Sequence, residues 1–132
     1  MQKSGLENDV DVAYFQYDEK KHGGAVGDNL VGGDAIPKGA VIRRGVLDIN
    51  EAATSTATGC TIGISAVSVG DILGQTAVAS FAKDVLLDIV PVNTAATSIR
   101  ATSDIKSIKV TPAVGALTAG KFTVALQYLR PR

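Results

Sequence analysis

Apolar and polar positions alternate in twos along much of the chain. Residues 1–9 are polar and carry no period, so they are expected to form a flexible arm. The segment VDVAYFQYD at 10–18 then puts Ala13, Phe15 and Tyr17 on one side of an extended chain and Val10, Val12, Tyr14 and Gln16 on the other. That period of two predicts a strand with apolar side chains on both faces. The stretch at about 19–35 holds glycines at 23, 24, 27, 32 and 33 among charges and small residues, and predicts a Gly-rich loop.

Ile36-Pro37-Lys38-Gly39 is a turn signal, with proline suited to the second position of a β-turn and glycine free to take positive φ. It leads into a strand over 40–50. Strict alternation there sends Val41, Gly45, Leu47 and Ile49 one way and Ile42, Arg44, Val46 and Asp48 the other, so that Arg43 and Arg44 point to opposite faces. Small and polar residues at 51–59 make a connection. Cys60, Ile62 and Ile64 then alternate with Thr61, Gly63 and Ser65, which marks a half-buried strand.

For 66–81 the expectation is a short helical turn carrying Ile72, Leu73, Ala77 and Val78, with Asp71 as its first-turn acid. Residues 85–92 read as a strand, and Pro91, which cannot donate to a ladder, puts it at an edge or strand end. Two short strands follow at 99–102 and 105–110, closed by Thr111-Pro112. Phe122, Val124, Leu126 and Tyr128 alternate with Thr123, Ala125 and Gln127 in the clearest strand of the chain.

These are roughly seven or eight strands at the spacing of about 8–12 residues expected of a sandwich or barrel, with no βαβ unit. Val, Ile and Thr together number 36 of 132 residues, an alphabet that fits a pleated surface. With hardly any helix to cover a sheet, burial has to come from a second sheet or from closure. The predicted fold is therefore all-β: an antiparallel two-sheet β-sandwich of jelly-roll type, one domain over 10–132 behind the arm at 1–9.

Charge narrows the function. Thirteen basic and thirteen acidic residues cancel, leaving no global field to hold nucleic acid or an anionic membrane. The apolar residues come in short runs, too short for a membrane-crossing helix. The start lacks the apolar stretch of a secretory signal and one cysteine makes no internal disulfide, so synthesis in a reducing cytosol is expected.

Candidate chemistry is thin. Gly115 to Lys121 has the spacing of a phosphate-binding loop, but Phe122 stands where a Ser or Thr belongs and an alternating strand begins where a helix is needed. His22, the single histidine, lies beside Lys20, Lys21 and a glycine pair and reads as exposed and mobile rather than as a positioned base. Cys60 reads as a small buried hydrophobe. Asp9 and Asp11 align on one side of an extended chain, but two carboxylates are too few to hold a hard cation. No cofactor, metal or catalytic activity is expected.

Surface for partners remains. Tyr14, Phe15 and Tyr17 are three of the six aromatic residues; aromatics anchor protein interfaces, and ordinary core is the other reading of them. With Lys20, Lys21, Arg44 and the basic tail residues Arg130 and Arg132, they make the expected contact set.

The segment from Ile36 to Ile42, the strand Thr61 to Ser65, and the closing Leu117 to Lys121 with Val124 to Tyr128 resemble a pattern in small structural proteins of tailed bacteriophages. There an "IPkGAvI" turn starts one strand, an "IGI" strand sits mid-chain and a "lTAGk…v.v.Y" hairpin ends the fold. The resemblance covers about 90 residues from 36 onward, with a looser match around Phe15 to Asp18. It implies a jelly-roll capsid decoration, or cement, protein on the outer face of the virion head. Such a protein, made in the host cytoplasm, acts as a homodimer or homotrimer and bridges subunits of the major capsid protein. The alternative is a receptor- or glycan-binding sandwich of a head fibre or tail, which the lack of tryptophan disfavours.

Overall fold

The computed structural model describes residues 10–67, 70–91 and 99–131. The arm expected at 1–9 and the tail residue Arg132 lie outside the described residues. Among the described residues there are nine strands: β1 (Val10–Asp18), β2 (Asn29–Ile36), β3 (Val41–Ser55), β4 (Thr61–Ser65), β5 (Leu73–Ala77), β6 (Leu86–Ile89), β7 (Ile99–Arg100), β8 (Ile105–Ala113) and β9 (Leu117–Leu129). One helical turn, α1 (Glu19–His22), and a 3-10 turn at Val78–Ser80 interrupt them. All strand pairs are antiparallel, so the all-β expectation holds.

Pairing follows a simple rule. β1 pairs with β9, β2 with β8, β3 with β6 and β4 with β5, first with last and inward from there. The chain is thus one long antiparallel ribbon whose tip is the β4–β5 connection. Rolled up, it gives the order β5-β4-β8-β2-β1-β9-β3-β6, with β7 added to β3. Within that path lie two four-stranded ladders, β1-β9-β3-β6 and β2-β8-β4-β5, which meet at one register pair, Phe15 with Gly33.

The ladders share one core. Phe15, Tyr17, Leu47, Phe122 and Val124 come from the first, and Val31, Ile62, Ile64, Ile108 and Val110 from the second, all essentially inaccessible to water. Each large apolar side chain so buried contributes about 1.5–3 kcal/mol relative to exposure, which makes this shared core the main stabilising term.

Several local expectations change. The Gly-rich stretch contains β2, where Val31 and Ile36 are buried. Gly33 serves packing, because a Cβ there would lie 2.6 Å from Cδ2 of Phe15 and against the Tyr14 carbonyl. β3 runs on through residues 51–55, and it carries a bulge: Ile42 pairs with Tyr128 and Arg44 with Gln127, leaving Arg43 as an extra residue. One inserted residue flips the alternation, so Ile42 joins Leu47 and Ile49 in the core while Arg43 and Arg44 are both exposed.

The helical turn expected at 66–81 is β5 followed by the 3-10 turn. Asp71 instead closes the ribbon's tip, accepting the Ala66 and Val67 amides at 2.8 Å each. Pro37 stands first rather than second in its turn, with the Ala40 amide donating to its carbonyl and Gly39 at φ 89°. Pro112 lies inside β8, opposite Ile62. It is tolerated because the pairing of β8 with β2 ends two residues earlier, at Val110 with Asn29. β6 pairs only with β3 and is an edge, as Pro91 foretold.

Candidate protein interface

The two ladders present unlike faces to solvent. On the second, the Thr61 hydroxyl donates to Gln75 at 2.6 Å, the Gln75 amide to the Thr111 carbonyl at 3.2 Å and the Thr111 hydroxyl to Asp28 at 2.8 Å. Lys109 stands 3.9 Å from the same carboxylate. Apart from Leu30, this is a self-satisfied polar surface suited to water.

The first ladder carries apolar rows. Cross-strand register makes three rows across β1, β9 and β3: Tyr14, Ala125 and Val46; Val12, Gln127 and Arg44; and Val10, Leu129 and Val41. Tyr14 is 53% and Val12 43% exposed. Gly45 and Ala125 are small, so Tyr14, Val12 and Val46 stand around a shallow, open hollow of about 340 Å³. A second hollow of about 210 Å³, between Val10, Arg43, Arg44 and Leu129, shares Arg44 and Gln127 with the first. A third of about 290 Å³ shares Leu129 and extends past Val41 and Arg100 to Pro131. Together they form one trough along the strands.

Arginines gather at its far end. Arg130 holds Asp11 in a two-pronged ion pair, Nε to Oδ2 at 2.6 Å and Nη2 to Oδ1 at 3.0 Å. Those hydrogen bonds, then the guanidinium charge, hold the Asp11 carboxyl below the usual carboxylate range. Arg100 donates to the Gly39 carbonyl at 3.0 Å, and Asp104 accepts the Lys38 amide at 2.8 Å. Arg43 and Arg44 have no ion pair among the described residues.

Of the expected contact residues, Tyr14 and Arg44 come together on this face, whereas the Arg130 side chain is turned to Asp11, which stands opposite the buried Tyr128. Phe15 and Tyr17 do not: both are fully buried, because that side of β1 lies in the shared core. The Tyr17 hydroxyl donates to the Gly23 carbonyl at 2.6 Å, and burial, reinforced by Glu19 and Asp18, pushes its pKa up to about 12. Lys20 and Lys21 are exposed on α1, at the other end of β1. Val12, Val46, Arg43 and Arg100 were missed. The Arg43-Arg44 doublet was the available signal, but alternation without the bulge split it.

His22 is held rather than mobile. Its Nδ1 accepts the Asp18 amide at 3.1 Å and its ring stacks on Tyr17 with centroids 5.9 Å apart. It borders a polar cleft of about 280 Å³ with Lys21, Lys121, Gln16 and Asn50, whose aromatic residues Tyr17 and Phe122 are buried. Cys60 is buried as expected, its thiol donating to the Gly115 carbonyl at 3.2 Å. Gly115 stands in the bend before β9 and Leu117 to Lys121 are already strand, with no helix. Asp11 is taken by Arg130 and Asp9 lies outside the described residues; among the described residues no three metal-ligating side chains cluster.

No family model matches the chain, and no curated protein matches it. Solved structures do. A chain of the cyanophage Pam1 capsid asymmetric unit is 16% identical with a TM-score of 0.65, over 92% of this chain and 85% of that one. A chain of the Ralstonia phage GP4 capsid is 18% identical, TM-score 0.62, over 94% and 86%. A third, from the acid-stable capsid of Helicobacter pylori bacteriophage KHP30, is 13% identical, TM-score 0.58, over 93% and 89%. The protein thus has a fold found in bacteriophage capsids.

Proposed function

We propose that this protein is a non-enzymatic structural component of a virion: a capsid decoration, or cement, protein that binds the outer surface of a phage head and bridges neighbouring major capsid subunits. The observation that carries this reading is the breadth of the likeness, which spans 92%, 93% and 94% of the chain in three phage capsids. Strand order supports the jelly-roll part of it. A rolled antiparallel ribbon in two ladders of four is how two Greek keys interlock.

The unlike outer faces fit the same role. A cement protein acts through many copies of one modest contact, so it needs a broad rigid surface for the shell and a polar one for water. Its partners in this reading are the major capsid protein and further copies of itself, as dimer or trimer, and it requires no cofactor.

The test is co-sedimentation of the purified protein with heads assembled without it, followed by heating. Saturable binding that raises the temperature at which heads open is the expected result. Absence of binding overturns the reading in favour of a receptor- or glycan-binding module.

A further inference from the structure

We infer that the trough on the outer face of the first ladder takes an extended, acidic segment of the shell protein, which Arg43 and Arg44 recognise by charge and Tyr14, Val12 and Leu129 by apolar contact. The inference rests on the decoration reading for the source of the segment. Its chemistry comes from the trough itself.

The shape is that of a bound strand. The hollows adjoin through Arg44, Gln127 and Leu129 and run parallel to β1 and β9. From Tyr14 to Val10 the trough spans four steps of an extended chain, about 13 Å at roughly 3.3 Å per residue, and it continues beyond to Pro131. A segment of about four to six residues fills that length.

The charge is lopsided. The whole chain is neutral, yet Arg43, Arg44, Arg100 and Arg130 all border the trough. Of the nearby carboxylates, Asp11 is paired with Arg130, Asp104 accepts the Lys38 amide and Asp34 the Tyr14 amide, and Asp88 stands opposite Val46 on the far side of β3, so the positive charge is concentrated at the Arg43 and Arg44 end. The β3 bulge matters here, because regular alternation would have sent Arg43 to the opposite face from Arg44. Paired guanidinia beside apolar walls match carboxylates on a segment that also carries apolar side chains. Duplex nucleic acid fits poorly, since its uniform phosphates gain nothing from Val12 and Leu129 and the chain has no net positive charge.

The experiment compares wild type with Arg43→Glu/Arg44→Glu and Arg43→Lys/Arg44→Lys in binding to heads assembled without the protein, at low and high sodium chloride. A hexapeptide alternating glutamate and leucine is titrated in parallel, followed by amide shifts in NMR. Both arginines are exposed, so thermal melts of the variants should match wild type; if the glutamate pair melts early, Arg43→Gln/Arg44→Gln replaces it. The expected result is at least about tenfold weaker head binding for the glutamate pair, near wild-type binding for the lysine pair, and weakening with salt. Equal head binding by wild type and the glutamate pair overturns the inference while leaving the decoration role intact. If wild type does not bind heads, the decoration role fails and the peptide decides: shifts confined to the trough support an acidic-segment site, and their absence overturns it. Tighter binding of a DNA duplex than of the peptide, or loss of self-association in the glutamate pair with head binding unchanged, also overturns it.

Discussion

Phe15 on β1 and Gly33 on β2 form the register pair at which the two ladders join, and they can meet there only because Gly33 has no side chain. Gly33→Ala should cost about 1–3 kcal/mol, since backbone as well as the Phe15 ring must move. Gly74→Ala, where a new Cβ meets nothing within 4 Å, should change stability by no more than about 0.5 kcal/mol. Urea unfolding of both variants checks the contrast; equal midpoints would remove the role given to Gly33.

Tyr17 makes stability sensitive to alkaline pH. Its hydroxyl ionises near 10 when unfolded but near 12 when folded, so the folded state holds the proton more tightly. The contribution is fully present below pH 10 and is lost as pH rises from 10 towards 12. Tyr17→Phe should flatten that decline and cost about 1 kcal/mol at neutral pH by leaving the Gly23 carbonyl without its donor. Denaturant melts at pH 8, 10 and 11 measure both effects. A residual alkaline decline is expected from Tyr128, whose pKa burial also raises.

Asp71 holds the ribbon's tip through the amides of Ala66 and Val67. Asp71→Ala strands both donors and should cost about 1–3 kcal/mol, whereas Asp71→Asn keeps one acceptor oxygen and should fall between it and wild type. Hydrogen exchange at Ala66 and Val67 localises the effect. Unchanged protection in Asp71→Ala would rule the contact out as a determinant.

The ion pair between Asp11 and Arg130 should be visible in acid. Asp11 titrates lower in the folded protein than unfolded, so the pair stabilises above the unfolded pKa and ceases to as pH falls through the folded one. In Arg130→Ala the Asp11 carboxyl should titrate closer to its ordinary value, as followed by carbon-detected NMR. An unmoved titration would show that the pair does not persist in solution.

Cys60 should be inert to a thiol reagent in the native state and react once unfolded, because its sulfur is buried and donates to Gly115. Rapid native labelling would mean that the turn before β9 opens readily.

Legibility followed the hydrophobic period. Phe122, Val124, Leu126 and Tyr128 could be assigned to the core from sequence because β9 is regular across those positions and its pattern is local. β2 could not: in NLVGGDAI only Val31 and Ile36 are buried, and of the two glycines that signal a loop Gly33 is there because β1 passes close by. The interface was half visible. Tyr14 and Arg44 were singled out from composition, while Phe15 and Tyr17 were misassigned because an aromatic residue looks the same in a pattern whichever side of the strand lies in the core.

By itself the sequence determined that this protein is built of antiparallel strands, that Cys60 is core, and that a strand rather than a helix follows Gly115, since period, turn chemistry and strand propensity act between near neighbours. Tertiary structure alone decided that the ribbon pairs first strand with last, that a bulge opposite Tyr128 and Gln127 turns Arg43 and Arg44 to solvent together, and that an apolar trough lies between them and Tyr14. Those features depend on which residues stand opposite one another across strands distant in the chain, and that register is fixed by packing of the whole core rather than by any local segment.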